Sequence, residues 1–453
     1  MTFDPRHRTW AGSDRFVPRT FVQPFVRFTR IEAASGILLL GATALALLWA
    51  NSPWSDAYLQ LFEGTRVAVE IGPIHLDESF ADIINDGLMA IFFFVVGLEI
   101  KRELVVGELR DPRAAALPVV AALGGMLVPA LVYFWFTAGV GGEAASGWAI
   151  PMATDIAFAV GVVALLGRRV PPAAKLFILA LAIADDIGAI LVIALFYTSD
   201  LSLGWLAVAA GVLVLIGIGQ RVGIRSTLFY GSAAVAVWFA MLESGVHATI
   251  AGVALGLLTP VRPLYSSQEF ESKAREILDT YPLGDSPEDD EKSDYEAEVL
   301  SAIATESIAP LNRLENRLLP WSSYVIVPLF ALANAGVDFR GLDIGALLTE
   351  PVALGVAIGL VAGKTIGITL FTWVAVKARW GRLPALTTWR HIVGVAALGG
   401  IGFTVSLFIA NLAFTDQDLT NVAKLGIFAG SLLAGILGTA ILLGASSGGK
   451  DST

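Results

Sequence analysis

The sequence contains no cysteine and is poor in charge. Of its 453 residues none is Cys, four are His, and only 15% are Asp, Glu, Lys or Arg. The lack of thiols excludes disulfides, thiolate metal centres and cysteine redox chemistry. The chain is instead apolar: 55% of its residues are hydrophobic, against about 45–50% in soluble domains, and its mean hydropathy is +0.71. These values predict a polytopic membrane protein.

Long apolar runs recur along the whole chain. A helix needs about 20 apolar residues to cross a hydrocarbon core of ~30 Å, roughly twice the length of a spanning β-strand. Runs of that helical length occur at 34–50, 84–104, 116–137, 148–166, 176–197, 203–220, 227–242, 246–260, 321–336, 351–376, 391–413 and 422–445. We therefore predict an all-α polytopic membrane protein with about 12 transmembrane helices.

Basic residues are distributed unevenly among the loops between these runs. With a cytoplasmic N-terminus, 26 of the 30 Lys and Arg residues lie on the cytoplasmic side and only Arg66, Arg340 and Lys424 lie outside. Such enrichment marks the cytoplasmic side of a membrane protein. We predict cytoplasmic tails over 1–33 and 446–453 that flank a transmembrane domain over 34–445.

The connection over 263–310 is the most acidic part of the chain. It holds 13 acidic and three basic residues, so its net charge of -10 equals that of the whole chain. The low pI therefore reflects this cytoplasmic loop rather than a substrate. We favour a solvated, partly disordered linker with some helix at 268–279, and a regulatory or partner-binding role is the alternative.

The first outside loop contains alternating apolar residues around Gly72-Pro73, in the stretch 66–76. This pattern predicts a short β-hairpin. Two interpretations are open: the hairpin joins two subunits in a homodimer, or it is a simple surface cap.

Four ionisable residues lie near the middle of predicted spans: Asp155, Asp185, Asp186 and Lys364. Charges at membrane depth cost about 2.5–3.5 kcal/mol each on insertion scales and usually serve a function. A structural ion pair alone does not explain them, because one lysine leaves two of three carboxylates uncompensated. The remaining carboxylates must bind protons, a cation, or both.

Two of the predicted spans contain helix-breaking residues near their centres. Pro151 precedes Thr154 and Asp155 in the fourth span, and Gly399, Gly400 and Gly402 interrupt the eleventh. A helix break and close glycine packing are equal alternatives for the second stretch. Broken helices in matching positions of two halves mark transporter sites, and spans 3–5 and 10–12 would form inverted repeats. Asp155 could then neutralise facing helix N-termini and Lys364 the facing C-termini.

Several motifs together resemble the NhaA family of bacterial sodium/proton antiporters, from about residue 33 to 445. They are INDGLMAIFFFVVGLEIKRE (84–103), MATDIAFAVG (152–161), LAIADDIGAI (181–190), SGVHATIAGV (244–253), PLFALANAGV (328–337), GKTIGI (363–368) and GGIGFTVSLFIA (399–410). The inverted-repeat rule used above was itself drawn in part from this family. Its agreement with the resemblance is therefore not independent support.

The resemblance implies roles for the mid-membrane residues. Asp186 would be the principal ligand of the metal cation, and Asp185 its partner in a dyad that binds Na⁺ and H⁺ competitively and pairs with Lys364. Thr154 and Asp155 would contribute from the broken helix. Whether Asp185 or Lys364 carries the second proton is left open.

The resemblance also implies residues that sense pH. They are Glu99, Arg102, Glu103, Glu315 and His247. Without the family, helix-end ion pairs would explain the first four equally well, and His247 could be a packing residue.

The expected activity is electrogenic Na⁺(Li⁺)/H⁺ antiport by alternating access, regulated by pH, in a bacterial inner membrane. No cofactor and no nucleic-acid partner are expected, and the partners would be the lipid bilayer and the transported ions. Three rival classes are an intramembrane aspartyl protease, a cation channel and a sodium/solute symporter. The protease needs its two aspartates on separate helices, whereas Asp185 and Asp186 are adjacent.

Overall fold

The structure is a computed structural model that describes residues 34–71, 74–198, 201–281, 287–340, 345 and 349–445. The predicted tails over 1–33 and 446–453 lie outside these described residues. Within them the chain is mainly helical, as predicted, with one small antiparallel sheet.

The α-helices and strands are numbered here in chain order. The helices of the first half are α1 (Ala34–Ala50), α2 (Met89–Val105), α3 (Pro112–Thr137), α4 (Ile156–Leu166), α5 (Pro172–Phe196), α6 (Leu203–Val222), α7 (Thr227–Glu243) and α8 (Thr249–Leu258). Those of the second half are α9 (Ser267–Thr280), α10 (Pro287–Glu306), α11 (Pro310–Trp321), α12 (Val327–Asn334), α13 (Pro351–Ile358), α14 (Lys364–Lys377), α15 (Trp389–Leu398), α16 (Phe403–Ala413) and α17 (Gln417–Ala445).

Several shorter segments are also present among the described residues. The strands are β1 (Arg66–Ile71) and β2 (Ile74–Ser79), and short helices lie at Ser55–Leu59 and Phe80–Asp82. Segments of 3₁₀-helix lie at Glu108–Arg110, Gly142–Met152 and Gly167–Arg169, and π-helical segments at Gln60–Gly64, Ile83–Leu88, Ser322–Ile326 and Gly359–Gly363.

The predicted spans all fall on helical segments, but they differ in length. Among the described residues, seven helical stretches are long and apolar enough to cross a membrane, or eight if the bent pair α15 and α16 counts as one span. The apolar helices α1, α7 and α8 have 17 residues or fewer, and the predicted run 321–336 falls on a π-helical segment and α12. The count of twelve therefore stays a prediction.

The predicted hairpin is present. Strands β1 and β2 pair antiparallel from Arg66 opposite Ser79 to Ile71 opposite Ile74. An ion pair of 2.9 Å joins Arg66 Nε to Asp77 Oδ1 across the strands. Gly72 and Pro73, on which the prediction of the turn rested, lie outside the described residues.

The acidic connection is more helical than predicted. Helix α9 covers the predicted helix at 268–279 and begins with a capping box between Ser266 and Glu269. Helix α10 adds 20 further residues that the sequence interpretation assigned to linker. The stretch lacks glycine between 287 and 306 and is rich in Glu and Ala, which are good helix formers, so a solvated charge run here still forms a helix.

Lys424 is not a loop residue, in contrast to its assignment in the charge count. Helix α17 begins at Gln417, and Lys424 lies inside it with 5% of its surface exposed. The chain thus buries a second lysine in a helix long enough to span a membrane.

By internal packing, the chain divides into two compact units. The larger takes its described residues from Met1–Met89, Glu108–Ser199 and Ser322–Thr453. In it, α3 lies along α14 at very short distance: a Cβ on Gly124 would lie 2.3 Å from the Gly367 carbonyl oxygen. Only glycine permits such an approach of two backbones. The approach brings the end of α14 that carries Lys364 against α3.

The smaller unit comprises Ala90–Gly107 and Asp200–Trp321 in its described parts. Its helices α6, α7 and α8 share an apolar core around Ile216, Val237 and Ala251. Helix α8 also packs closely along α2, where a Cβ on Gly252 would lie 2.1 Å from the Ala90 carbonyl oxygen.

Candidate functional site

Both predicted helix interruptions are present in the larger unit, and they touch. The 3₁₀-helical segment ends at Met152 and α4 begins at Ile156, while α15 ends at Leu398 and α16 begins at Phe403 after a bend of 47°. The Thr154 hydroxyl donates to the Gly399 carbonyl at 2.8 Å, and the Asp155 amide donates to the Ile401 carbonyl at 2.6 Å. The backbone groups freed by one break are therefore partly satisfied by the other.

The two explanations for the glycine stretch both apply. Residues 399–402 are not helical, and a Cβ on Gly400 would lie 2.1 Å from the Leu360 carbonyl oxygen. Leu360 belongs to the π-helical segment directly before Lys364. A break in the helix and close packing of its backbone thus occur at the same place.

Asp155 caps two helices at once. Its Oδ1 accepts from the Phe158 amide of α4 at 3.1 Å. Its Oδ2 accepts from the Thr404 amide of α16 at 3.2 Å and from the Thr404 hydroxyl at 2.6 Å. Only 3% of the residue is exposed. The carboxylate faces the positive ends of two helix dipoles.

Lys364 lies between α5 and the first break, with none of its surface exposed. Its Nζ donates to Asp185 Oδ2 at 2.5 Å and to the Thr154 hydroxyl at 2.9 Å. Thr154 itself donates to the Gly399 carbonyl at the C-terminus of α15. The Thr154 hydroxyl therefore connects Lys364 to this helix C-terminus by two successive hydrogen bonds. The compensation of helix C-termini and of an aspartate by Lys364 stays a prediction.

The two adjacent aspartates of α5 differ in their surroundings. Asp185 is 1% exposed and Asp186 7% exposed. Among the described residues, Asp185 Oδ1 has no hydrogen-bond partner. Neighbouring helix residues point about 100° apart, so the second carboxylate projects in another direction from the Lys364 pair.

The side-chain groups that Lys364 contacts at this position, from Asp185 and Thr154, are oxygen donors. In the described part of the chain, no three His, Asp or Glu side chains form a metal-binding group. Carboxylate and hydroxyl oxygens are ligands for hard cations.

Sequence reasoning missed Thr404. Its hydroxyl and amide both bind Asp155, so it connects the two broken helices at the centre of the site. A polar residue two positions after the glycine break, where a helix N-terminus was expected, was the available signal.

The predicted pH-sensing cluster is assembled in the smaller unit. Arg102 lies 3.8 Å from Glu99 and 3.9 Å from Glu103, and its Nη1 donates to Glu315 of α11. One guanidinium group thus faces three carboxylates. This arrangement is compatible both with a pH sensor and with ordinary helix-end ion pairing.

His247 does not belong to either of the helices, α2 and α11, that carry this cluster. It is in the turn between α7 and α8, where its carbonyl accepts from the Ile250 amide at 3.0 Å.

Comparison with known proteins gives a consistent result. The sequence profile of the Na⁺/H⁺ antiporter 1 family matches residues 26–442. A protein of Syntrophobacter fumaroxidans called Na(+)/H(+) antiporter NhaA is 50% identical over 424 residues, covering 92% of this chain and 89% of the relative. A protein of the same name from Koribacter versatilis is 48% identical, covering 93% and 91%.

A third relative, Na(+)/H(+) antiporter NhaA 2 of Syntrophotalea carbinolica, is 45% identical and covers 94% of this chain and 97% of its own length. The expected family resemblance is thereby confirmed, and with it the assignment to a multi-pass membrane transporter rather than a catalytic enzyme. The chain belongs to the Na⁺/H⁺ antiporter 1 family, whose NhaA members it matches over nearly its whole length.

Proposed function

We propose that this protein exchanges Na⁺ for H⁺ across the membrane, with the two ions competing for Asp185 and Asp186. The observation that carries this proposal is the fully buried contact between Lys364 Nζ and Asp185 Oδ2, beside two crossing helix breaks. Asp155, Asp185 and Asp186 are all buried in the larger unit, as is Lys364. Family membership supports Na⁺ and H⁺ as the transported ions.

The three carboxylates, of Asp155, Asp185 and Asp186, have different roles because their surroundings differ in charge. Asp155 is balanced by two helix N-termini, and Asp185 by Lys364. Asp186 is the principal Na⁺ ligand, as the family resemblance implies, because a buried carboxylate is costly unless a proton or a cation accompanies it. A proton replaces the Na⁺ when it leaves.

The second proton belongs to the pair of Asp185 and Lys364. Two groups in such close contact titrate as a unit, so the pair releases one proton when a cation binds next to it. Thr154, which bonds Lys364, holds the lysine in position during this exchange.

Alternating access completes the cycle. The site opens to the cytoplasm, Na⁺ displaces the protons, and protons from outside displace Na⁺ once the site has opened there. With two protons for each sodium, as the family resemblance implies, one net charge moves inward per cycle. The membrane potential then contributes about 2.3 kcal/mol per 100 mV, so the exchange is electrogenic. Li⁺, with the same charge and preference for oxygen, would follow the same route.

The finer architecture is part of the same proposal. It comprises twelve spans with both termini in the cytoplasm, inverted repeats over spans 3–5 and 10–12, and a bacterial inner-membrane location. The ion pairs around Arg102 and the imidazole of His247 would regulate the exchange by pH, and the hairpin over 66–76 would join two subunits.

Replacing Asp186 with Asn tests the assignment of the cation ligand. In everted membrane vesicles with a quenched pH dye, Na⁺ should no longer cause dequenching, because a neutral amide neither balances Na⁺ nor exchanges a proton. Asp56→Asn, an exposed position in the described structure, is the matched control and should retain exchange. A variant at 186 with the rate and KM of the unmodified protein would refute the assignment.

The same assay with Na⁺, Li⁺ and K⁺ across a range of pH separates the rival classes. An antiporter moves protons only against a transported cation, whereas a channel conducts without any proton gradient. A symporter would require a second solute in the vesicle medium.

A further inference from the structure

The larger unit contains a cavity that the antiport site does not use. Its volume is about 650 Å³ and its walls come from the first turns of α3, the first turns of α5 and the segment that follows α14. These are the ends of the helices that the distribution of Lys and Arg assigns to the cytoplasmic side. The cavity therefore lies at the level of the membrane surface rather than at mid-membrane.

Positive charge dominates the lining of this cavity. Arg113, Arg379 and Arg382 line it, with Glu108 as the one acidic residue of the lining. Within the described ranges, none of the three guanidinium groups forms an ion pair or a hydrogen bond. Three arginines from two segments distant in sequence thus converge without an internal partner, and guanidinium groups are suited to bind phosphate oxygens in pairs.

The same cavity has an apolar side that reaches the protein surface. Trp380 is 59% exposed and Leu176 is 51% exposed, and both line the cavity. Tryptophan is typical of the membrane interface, where one side of the ring meets acyl chains and the other meets headgroups. The lining therefore matches a molecule that carries both a negative phosphate and hydrocarbon chains.

The positive charge of the lining excludes a role of this cavity as the entrance for Na⁺. A funnel that concentrates Na⁺ should be lined by carboxylates, since like charge repels the ion. Here three guanidinium groups face a single carboxylate. A soluble phosphate would satisfy the arginines but would leave the exposed Trp380 and Leu176 without an apolar partner.

We propose that this cavity binds the phosphate headgroup of an anionic phospholipid of the cytoplasmic leaflet, with the acyl chains lying along Trp380 and Leu176. Basic pockets between helices on the cytoplasmic side bind such headgroups in other membrane proteins. A bound lipid would join the beginning of α5, which carries Asp185 and Asp186, to the segment that follows α14, which carries Lys364.

Lipid binding to the purified full-length protein in detergent tests this proposal, with native mass spectrometry as the readout. The probes are phosphatidylglycerol and phosphatidylcholine of equal chain length. The test variant replaces Arg113, Arg379 and Arg382 with Gln. The control replaces Arg110, Arg169 and Arg390, which are also exposed in the described structure but do not line the cavity, so both variants lose the same charge.

We expect the unmodified protein and the control to bind phosphatidylglycerol at least about tenfold more tightly than phosphatidylcholine, and the test variant to lose that preference. Substituting Lys at the same three positions should restore most of it and shows that the variant fails by charge rather than by misfolding. Equal loss in test and control variants would overturn the proposal, as would full displacement of the lipid by millimolar inorganic phosphate. Because the readout is binding, its outcome is independent of whether Na⁺/H⁺ exchange occurs.

Discussion

Lys364 contacts residues of two other segments of the chain. It bonds Asp185 of α5 and Thr154 of the first break, so one ammonium group connects three segments far apart in sequence. Thr404 does the same from the other break by binding Asp155. Both side chains satisfy a buried carboxylate, and loss of either partner leaves that carboxylate without part of its compensation.

We expect Lys364→Met to destabilise the protein by about 3–5 kcal/mol, because it leaves the Asp185 carboxylate buried without its counter-charge. Thermal unfolding in detergent, followed by loss of the monodisperse peak in size-exclusion chromatography, measures the change. The double variant Lys364→Met with Asp185→Asn should recover most of the loss, since it removes both charges. If the double variant is less stable than the single one, the pair is not the source of the effect.

Thr404→Val should lower stability by about 1–3 kcal/mol, because Asp155 loses its shortest hydrogen bond in a buried position. Thr404→Ser keeps the hydroxyl and serves as the control. The unfolding midpoints of both variants, compared in the same detergent, check this. Similar midpoints for Val and Ser would show that the hydroxyl bond contributes nothing.

Helix packing in the larger unit depends on backbone contact between α3 and α14. A Cβ on Gly367 would lie 2.1 Å from the Gly124 carbonyl oxygen, so α14 rests directly on α3 within one turn of Lys364. The helix breaks depend on a similar approach, where Gly400 meets the Leu360 carbonyl. The position of Lys364 therefore depends on Gly124, Gly367 and Gly400, which have no side chain that could bind an ion.

Gly367→Ala should separate α3 from α14 and shift Lys364 away from Asp185. We expect a loss of about 1–3 kcal/mol from overpacking and reduced Na⁺/H⁺ exchange in everted vesicles. Gly41→Ala is the matched control: it is also helical, but no atom lies within 4 Å of its added Cβ. There alanine should be neutral or stabilising by up to about 1 kcal/mol. Equal effects at both positions would contradict the packing argument.

The orientation of the whole chain follows from its basic residues, and the lack of cysteine makes it testable. We expect a cysteine at Ala68, in the hairpin, to react with an impermeant maleimide in intact bacterial cells. A cysteine at Ala297, in α10, should react only in everted vesicles. Both positions are exposed in the described structure, so accessibility to the reagent depends on the side of the membrane. The reverse pattern of labelling would invert the proposed topology.

Much of the architecture could be predicted because membrane helices satisfy their own backbone locally. The apolar runs, the alternation around Gly72-Pro73 and the break at Pro151 each depend on neighbours within a few residues, and the corresponding helices, hairpin and interruption are present. Helix α10 and the burial of Lys424 were not predicted. A run of charged residues has the same sequence pattern in a solvated helix as in a linker, and a lysine near the start of a helix has the same pattern whether it is exposed or buried.

The sequence by itself determined that the chain crosses a membrane, that it buries more acid than base, and that its motifs resemble those of sodium/proton antiporters. Only the tertiary structure decided which carboxylate meets which partner: Lys364 with Asp185, and Thr404 with Asp155. The cavity lined by three arginines was likewise invisible in the sequence. The physical reason is that the hydrogen bonds join residues up to 249 positions apart, and only close packing of helices brings such groups within hydrogen-bonding distance.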